Sequence, residues 1–190
     1  ICFQGFVGWY MVSSGLVDRV DVSHFRLSIH LVIAFLILSL ILWNYLQINK
    51  TNNIPNKISP IIPFLFLFLI FLQLIIGAFV SGMDAGKIYN SWPFMGDTYF
   101  PNDNNIENLF KLSAFSDPSL VQFIHRNLAY LIGFYFIFIL YKVYKNKIFS
   151  LYRSINLLGI FIILQIILGV ITIISGAQIY IASMHQISSI

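Results

Sequence analysis

The sequence is short of charge and almost without cysteine. Charged residues fill 9% of the 190 positions, hydrophobic ones 58%, and the mean hydropathy is +0.84. So little charge excludes a water-soluble globular domain of this length, because nothing would cover its apolar surface. The single cysteine, Cys2, excludes an internal disulfide and any cluster held by thiolates. A glycine-rich phosphate loop, an H-E-x-x-H pair and a serine nucleophile in a sharp turn are absent too. Acidic residues are missing from two whole connecting stretches. The net charge of +4 therefore reflects an uneven layout and does not point to nucleic acid.

What is present is a series of six apolar runs. The first ends near Leu16, four more cover about 27–46, 61–80, 120–141 and 155–174, and the sixth begins near Ile179. About 20 apolar residues at a 1.5 Å rise cross the hydrocarbon core of a bilayer. The pattern predicts an all-α integral membrane protein of six segments, the first and last of them truncated. Residue 1 is Ile, and the end runs are too short to span, so the chain reads as an internal fragment. Loops 47–59 and 142–154 carry Lys50, Lys57, Lys142, Lys145, Lys147 and Arg153 and no acid. All seven acids (Asp18, Asp21, Asp84, Asp97, Asp103, Glu107 and Asp117) fall in the other loops. By the positive-inside rule the basic loops face the cytoplasm or matrix and the acidic loops face outward.

Three histidines, His30, His125 and His185, lie one or two turns inside the outward end of such a run. An ionisable group in hydrocarbon is costly and marks a functional site facing the bundle interior. Imidazoles on facing helices are a standard way to hold a haem. Arg26 precedes His30 by four residues, so it shares a helix face with it and suits a haem propionate. Arg126 is adjacent to His125 and points about 100° away, which predicts a guanidinium curling toward the interface. His24, among charges in DRVDVSHFR, reads as a solvated surface residue. The alternative for the three apolar-run histidines is a helix cap or an interhelical hydrogen bond.

A repeat accompanies them. Gln4 and Gly8, Gln73 and Gly77, and Gln165 and Gly169 share a Q-x-x-x-G spacing, and each is followed by an outward loop and a histidine helix. Taken alone, these pairs read as close helix packing with a hydrogen bond across the contact. The long loop 81–119 is punctuated by Gly82, Gly86, Trp92, Pro93 and Gly96, which makes it ordered. Trp92, Phe94 and Tyr99 suit the headgroup level. Its length makes it a candidate lid.

These residues resemble haem A synthase of the alphaproteobacterial and mitochondrial type. The resemblance is carried by QGFVGWYMVSSGL, by FRLSIHL around His30 and by GAFVSGMDAGKIYNSWPFMGD. HRNLAYLIG around His125 and LGVITIISGAQIYIASMHQ through His185 complete it. It implies a bundle of two pseudo-symmetric four-helix halves, with 1–50 the remainder of the N-terminal, substrate-haem half and 51–190 the C-terminal, resident-haem half. It further implies that His125 and His185 ligate the iron of a resident haem b, and that His30 and Arg26 serve the substrate haem. The implied reaction takes a methyl group of haem O to a formyl group through successive hydroxylations, giving haem A for cytochrome oxidase. The second substrate-side histidine and a glutamate belong to a helix before residue 1 in that family, so no catalytic residue is assigned within this chain. The fragment alone is expected to be inactive. Haem O is the implied substrate, with the lipid bilayer, an unidentified electron acceptor and a haem O synthase as partners. The implied location is the bacterial inner membrane, ahead of the mitochondrial one. The main rival is a membrane cytochrome b that passes electrons between haems without altering them; a purely structural or transport protein comes third.

Overall fold

A computed structural model describes residues 2–16, 21–48 and 58–189. Asp18, Lys50 and Lys57, used in the topology argument, lie outside the described residues. Six α-helices follow one another: α1 (Cys2–Val12), α2 (His24–Ile48), α3 (Ile61–Gly82), α4 (Pro118–Lys145), α5 (Tyr152–Ile174) and α6 (Ile179–Ile187). Four stretches, His24–Ile48, Ile61–Gly82, Pro118–Lys145 and Phe149–Ile174, are long and apolar enough to cross a membrane. Among the described residues the only strand-like pairing is an isolated bridge between Met95 and Thr98. The chain is an all-α membrane protein. Large side chains such as Leu40, Ile41, Trp43, Phe64, Phe134 and Ile163 are at least half exposed, which suits helices whose outer faces meet lipid.

Local chemistry sets the helix ends. Asp117 caps α4 by accepting from the Leu120 amide at 2.9 Å, with Pro118 at the first helical position. α4 runs past the predicted 141 to Lys145. Lys142 and Lys145 therefore sit in its last turn, where the helix dipole favours cations. Their ammonium groups lie 5.4 Å from the Phe138 and Tyr141 rings respectively, stems along the apolar surface and heads toward water. α2 begins at His24, three residues before the predicted start near Leu27.

Successive helices pack as neighbours. Gly159 of α5 lies so close to Phe136 of α4 that an added Cβ would stand 3.0 Å from that ring. Phe66 of α3 stacks on Tyr135 of α4, centroids 6.4 Å apart. A buried cluster of Ile76, Phe79 and Val121 joins α3 to α4 near the outward loop, and one of Phe136, Val143, Ile148 and Ile155 joins α4 to α5 at the other end. His24 joins α2 to α3 and is not the solvated residue expected. Its ring meets Phe79 edge-on at 5.3 Å, and a Cβ on Gly82 would fall 2.8 Å from its own Cβ. The sequence neighbours are charged, but the helix turns this side chain into the interhelical contact.

Candidate functional site

His30, His125 and His185 each lie six or seven residues inside the start of their helix, at about 9–11 Å of rise. The equal depth read from the sequence is present in the structure. The partners of each ring come from the helix before it. Gln73 on α3 donates to the His125 carbonyl at 3.2 Å and also lies 3.3 Å from its Nε2. Gln4 on α1 donates to the His30 carbonyl at 3.0 Å and sits 3.3 and 3.5 Å from the two ring nitrogens. Gln165 on α5 uses a relay: its amide donates to Ser188 Oγ at 2.5 Å, and Ser188 donates to the His185 carbonyl at 3.2 Å.

The glycine of each pair makes room for the ring. A Cβ at Gly8, Gly77 or Gly169 would stand 3.0, 3.2 or 3.2 Å from Cε1 of His30, His125 or His185. The Q-x-x-x-G repeat is thus a histidine seat, built three times. Sequence reasoning saw the repeat and assigned it to helix packing. The signal that ties it to the imidazoles is its constant place, always on the helix preceding a histidine helix.

His125 on α4 and His185 on α6 occupy equivalent seats, each ring against the glycine of the preceding helix. In both rings Nδ1 is buried with no hydrogen-bond partner, which is expensive in a dry bundle. Two neutral imidazoles, each with an unsatisfied buried nitrogen and a glycine-lined seat, fit the axial ligand set of a haem. Among the described residues no three His, Cys, Asp or Glu side chains gather into a metal site, so any metal held here arrives with other ligands of its own.

Both arginines are engaged. Arg26 donates to the Tyr10 carbonyl at 2.9 Å, and its guanidinium lies 3.9 Å over the Tyr10 ring, tying α2 to the end of α1. Arg126 is only 6% exposed and turns away from His125 toward the long loop. It is folded under the long loop and donates to the carbonyls of Ser91 and Tyr89 at 2.9 Å each and of Phe94 at 3.4 Å. Gln122 donates to Tyr89 O at 3.0 Å, Trp92 Nε1 to Tyr130 OH at 2.7 Å, and Ser119 to Asp103 at 2.6 Å. Ser119, Gln122, Arg126 and Tyr130 follow a three–four–four spacing, one face of α4, and that stripe was a legible signal for a loop anchor.

The loop is consequently a fixed cover. Asn90 bonds to Ile173 O at 3.1 Å, reaching the end of α5, and Tyr99 OH donates to Asn127 at 2.6 Å. Met95, within the loop, is buried at 1% exposure. Burial works against ionising Asp103, but hydrogen bonds from Ser119, Tyr89 and Asn104 outweigh it and hold the carboxyl below its usual range. Burial, and then the bond to Asp103, push the Tyr89 phenol up. The Asp103 bonds stabilise the loop above the ordinary carboxylate pKa, and that contribution is lost as pH falls through the lowered folded value. Arg126→Ala should destabilise the protein by about 2–3 kcal/mol, the worth of a charge-assisted bond plus uncovered carbonyls. Thermal unfolding and protease nicking within 82–119 would read this. Arg126→Lys should recover only part, since an ammonium cannot fork between carbonyls; full recovery by Lys would show that charge alone holds the loop.

Fold and site together define a polytopic membrane protein that seats imidazoles between neighbouring helices at one end of the bundle. The chain belongs to the COX15-CtaA family, described as cytochrome oxidase assembly protein, whose model matches residues 1–190. A heme A synthase of Pelagibacter ubique (strain HTCC1062) is 50% identical over 190 residues, covering 100% of this chain and 56% of that protein. Heme A synthases of Rickettsia bellii (strain RML369-C) and Flavobacterium johnsoniae (strain ATCC 17061) are 40% identical over 195 residues and 39% identical over 194. Those alignments take in 100% and 97% of this chain, and 57% and 56% of the relatives. The chain therefore spans just over half the length of the relatives it matches. No solved structure matches it.

Proposed function

We propose that the intact protein makes haem A, oxidising a methyl group of haem O to a formyl group for cytochrome oxidase. The observation that carries this reading is the equivalent glycine seats of His125 and His185, each ring with a buried, unpartnered nitrogen, in a family of oxidase assembly proteins. His125 and His185 would hold the iron of a resident haem b in the half formed by 51–190. His30 and Arg26 belong to the substrate-haem site in the half that includes 1–50. When bound, the resident haem supplies one-electron redox chemistry toward an electron acceptor.

The protein's own contribution is positional. Gly77 and Gly169 let α3 and α5 approach the two rings, and the glutamines tie the histidine carbonyls so that the helices cannot slide. The loop 82–119, held by Arg126, excludes water from the outer end of the bundle without a closing movement. Co-expression of the intact protein with a haem O synthase, followed by pigment extraction, should yield haem A. Haem O alone beside an intact b-type spectrum would instead favour a cytochrome b that passes electrons between haems.

Orientation follows from charge. We place loops 47–59 and 142–154 in the cytoplasm or matrix and loop 82–119 on the other side of a bacterial inner membrane or, less well matched by these bacterial relatives, a mitochondrial one. Cysteines introduced at Asn52 and Asn104 test this: an impermeant thiol reagent should label position 104 from outside and leave 52 unlabelled. Outside labelling at 52 reverses the topology.

A further inference from the structure

Phe110 and Leu112, at 86% and 88%, are the most exposed large apolar side chains among the described residues, and Ile106 nearby is 64% exposed. They belong to two short 3-10 turns of the outward loop, Ile106–Phe110 and Leu112–Ser116. Polar side chains of the same stretch are occupied with one another. Lys111 Nζ donates to Asn108 at 2.9 Å, Asn108 to Asn104 at 3.3 Å, and Asn104 to the Asp117 carboxylate at 3.2 Å. The stretch is thus amphipathic: its polar row closes on the protein and its apolar row is left open.

The second turn is not lifted above the bundle. Phe115 joins the buried cluster of Ile76, Phe79 and Val121, its ring 6.2 Å from that of Phe79. Phe79 and Val121 each lie three residues inside the outward end of their helix, about 4.5 Å of rise. The 22 residues of α3 rise about 33 Å, close to the roughly 30 Å thickness of the hydrocarbon core. Phe115 is therefore docked near the boundary between acyl chains and headgroups. Side chains three apart eclipse in a 3-10 helix, so Leu112 continues the face of Phe115 one turn past the edge of the bundle. Phe79 also meets Phe25 of α2, centroids 5.1 Å apart. Phe25 and, one turn deeper, Ile29 are nearly half exposed. The lipid-facing surface of α2 thus runs up to this level beside the loop.

We propose that residues 106–112 are an interfacial anchor, with Ile106, Phe110 and Leu112 inserted into the outer headgroup–acyl boundary of the bilayer. Three side chains fall well short of the roughly 800 Å² per partner of a stable protein interface, whereas acyl chains need no matching shape. An apolar row under a self-satisfied polar one is what a segment lying in the membrane interface needs. The anchor pins the free edge of a loop whose other side Arg126 ties to α4. It requires only the membrane architecture and is independent of what the histidines hold.

In the intact protein, cleared of other cysteines (Cys2→Ser included), Phe110→Cys, Leu112→Cys and Asp97→Cys each take a nitroxide. All three positions are exposed, so the label disturbs no packing, and Asp97 serves as the water standard. In nanodiscs of phosphatidylcholine and phosphatidylglycerol, collisions with oxygen, which concentrates among acyl chains, are measured against collisions with a water-soluble nickel chelate. The oxygen-to-nickel ratio at 110 and 112 should exceed that at 97 several-fold. A ratio equal to that at 97 puts the apolar row in water and overturns the proposal. Collisions with neither reagent mean that protein covers the row, another part of the chain or a second copy, and overturn it equally. A benzophenone side chain in place of Phe110 gives an independent reading: cross-links to phospholipid support the anchor, and cross-links to protein alone refute it.

Discussion

Replacing His125 or His185 with Ala should remove the low-spin b-type spectrum of the intact protein completely, and Met at either position should shift it. The expected effect is large because each ring is the sole candidate ligand on its side. Among the described residues no further His, Cys, Asp or Glu completes a set of three around them. If the two rings hold a haem iron, losing either imidazole would remove a strong-field ligand, changing the spin state and loosening the haem. The seats themselves should survive, since Gln73 bonds the carbonyl of residue 125 and Ser188 that of residue 185, and neither bond needs the ring. Folding and spectrum can therefore be separated by measuring the melting temperature of the same variants. A b-type spectrum unchanged in both Ala variants would sink the ligand assignment while leaving family membership untouched.

The membrane architecture was legible because lipid demands long apolar helices, and that requirement is written in composition. The histidines were legible for the same reason: an imidazole in IASMHQISS or QFIHRNLAY has no place among lipid tails. Helix ends were less so. Lys142 and Lys145 read as loop residues by charge, yet they extend α4 because their stems lie along it and the dipole accepts their heads. His24 was misplaced because charge in the neighbouring sequence says nothing about azimuth. One helical residue of rotation carries Arg126 away from the His125 face and under the loop. The partnership of Gln73 and Gly77 with His125 is a contact 52 and 48 residues apart in sequence. The repeat announced that such pairs recur, but only helix adjacency says which imidazole each one holds.

His30→Ala should block conversion of haem O in the intact protein and leave the resident haem spectrum near normal. His30 occupies the same depth and the same glutamine–glycine seat as His125, but its partners come from α1, whereas those of His125 come from α3. The His30 ring is seated against α1, and the His125 and His185 rings against α3 and α5, which is why we assign the C-terminal pair to one site and His30 to another. Arg26 strengthens this assignment. It lies one turn nearer the outer surface on the same helix face, and its guanidinium is already oriented by the Tyr10 carbonyl and ring, so little side-chain entropy remains to be lost on meeting a propionate. Because that guanidinium is only partly buried, Arg26→Ala should weaken retention of the substrate by about 1 kcal/mol, roughly fivefold. Pigment extraction reads the first effect and a haem O titration the second. If His30→Ala removes the resident spectrum and spares haem O conversion, the substrate and resident sites have been given to the wrong halves, and Arg26 then belongs to the resident haem.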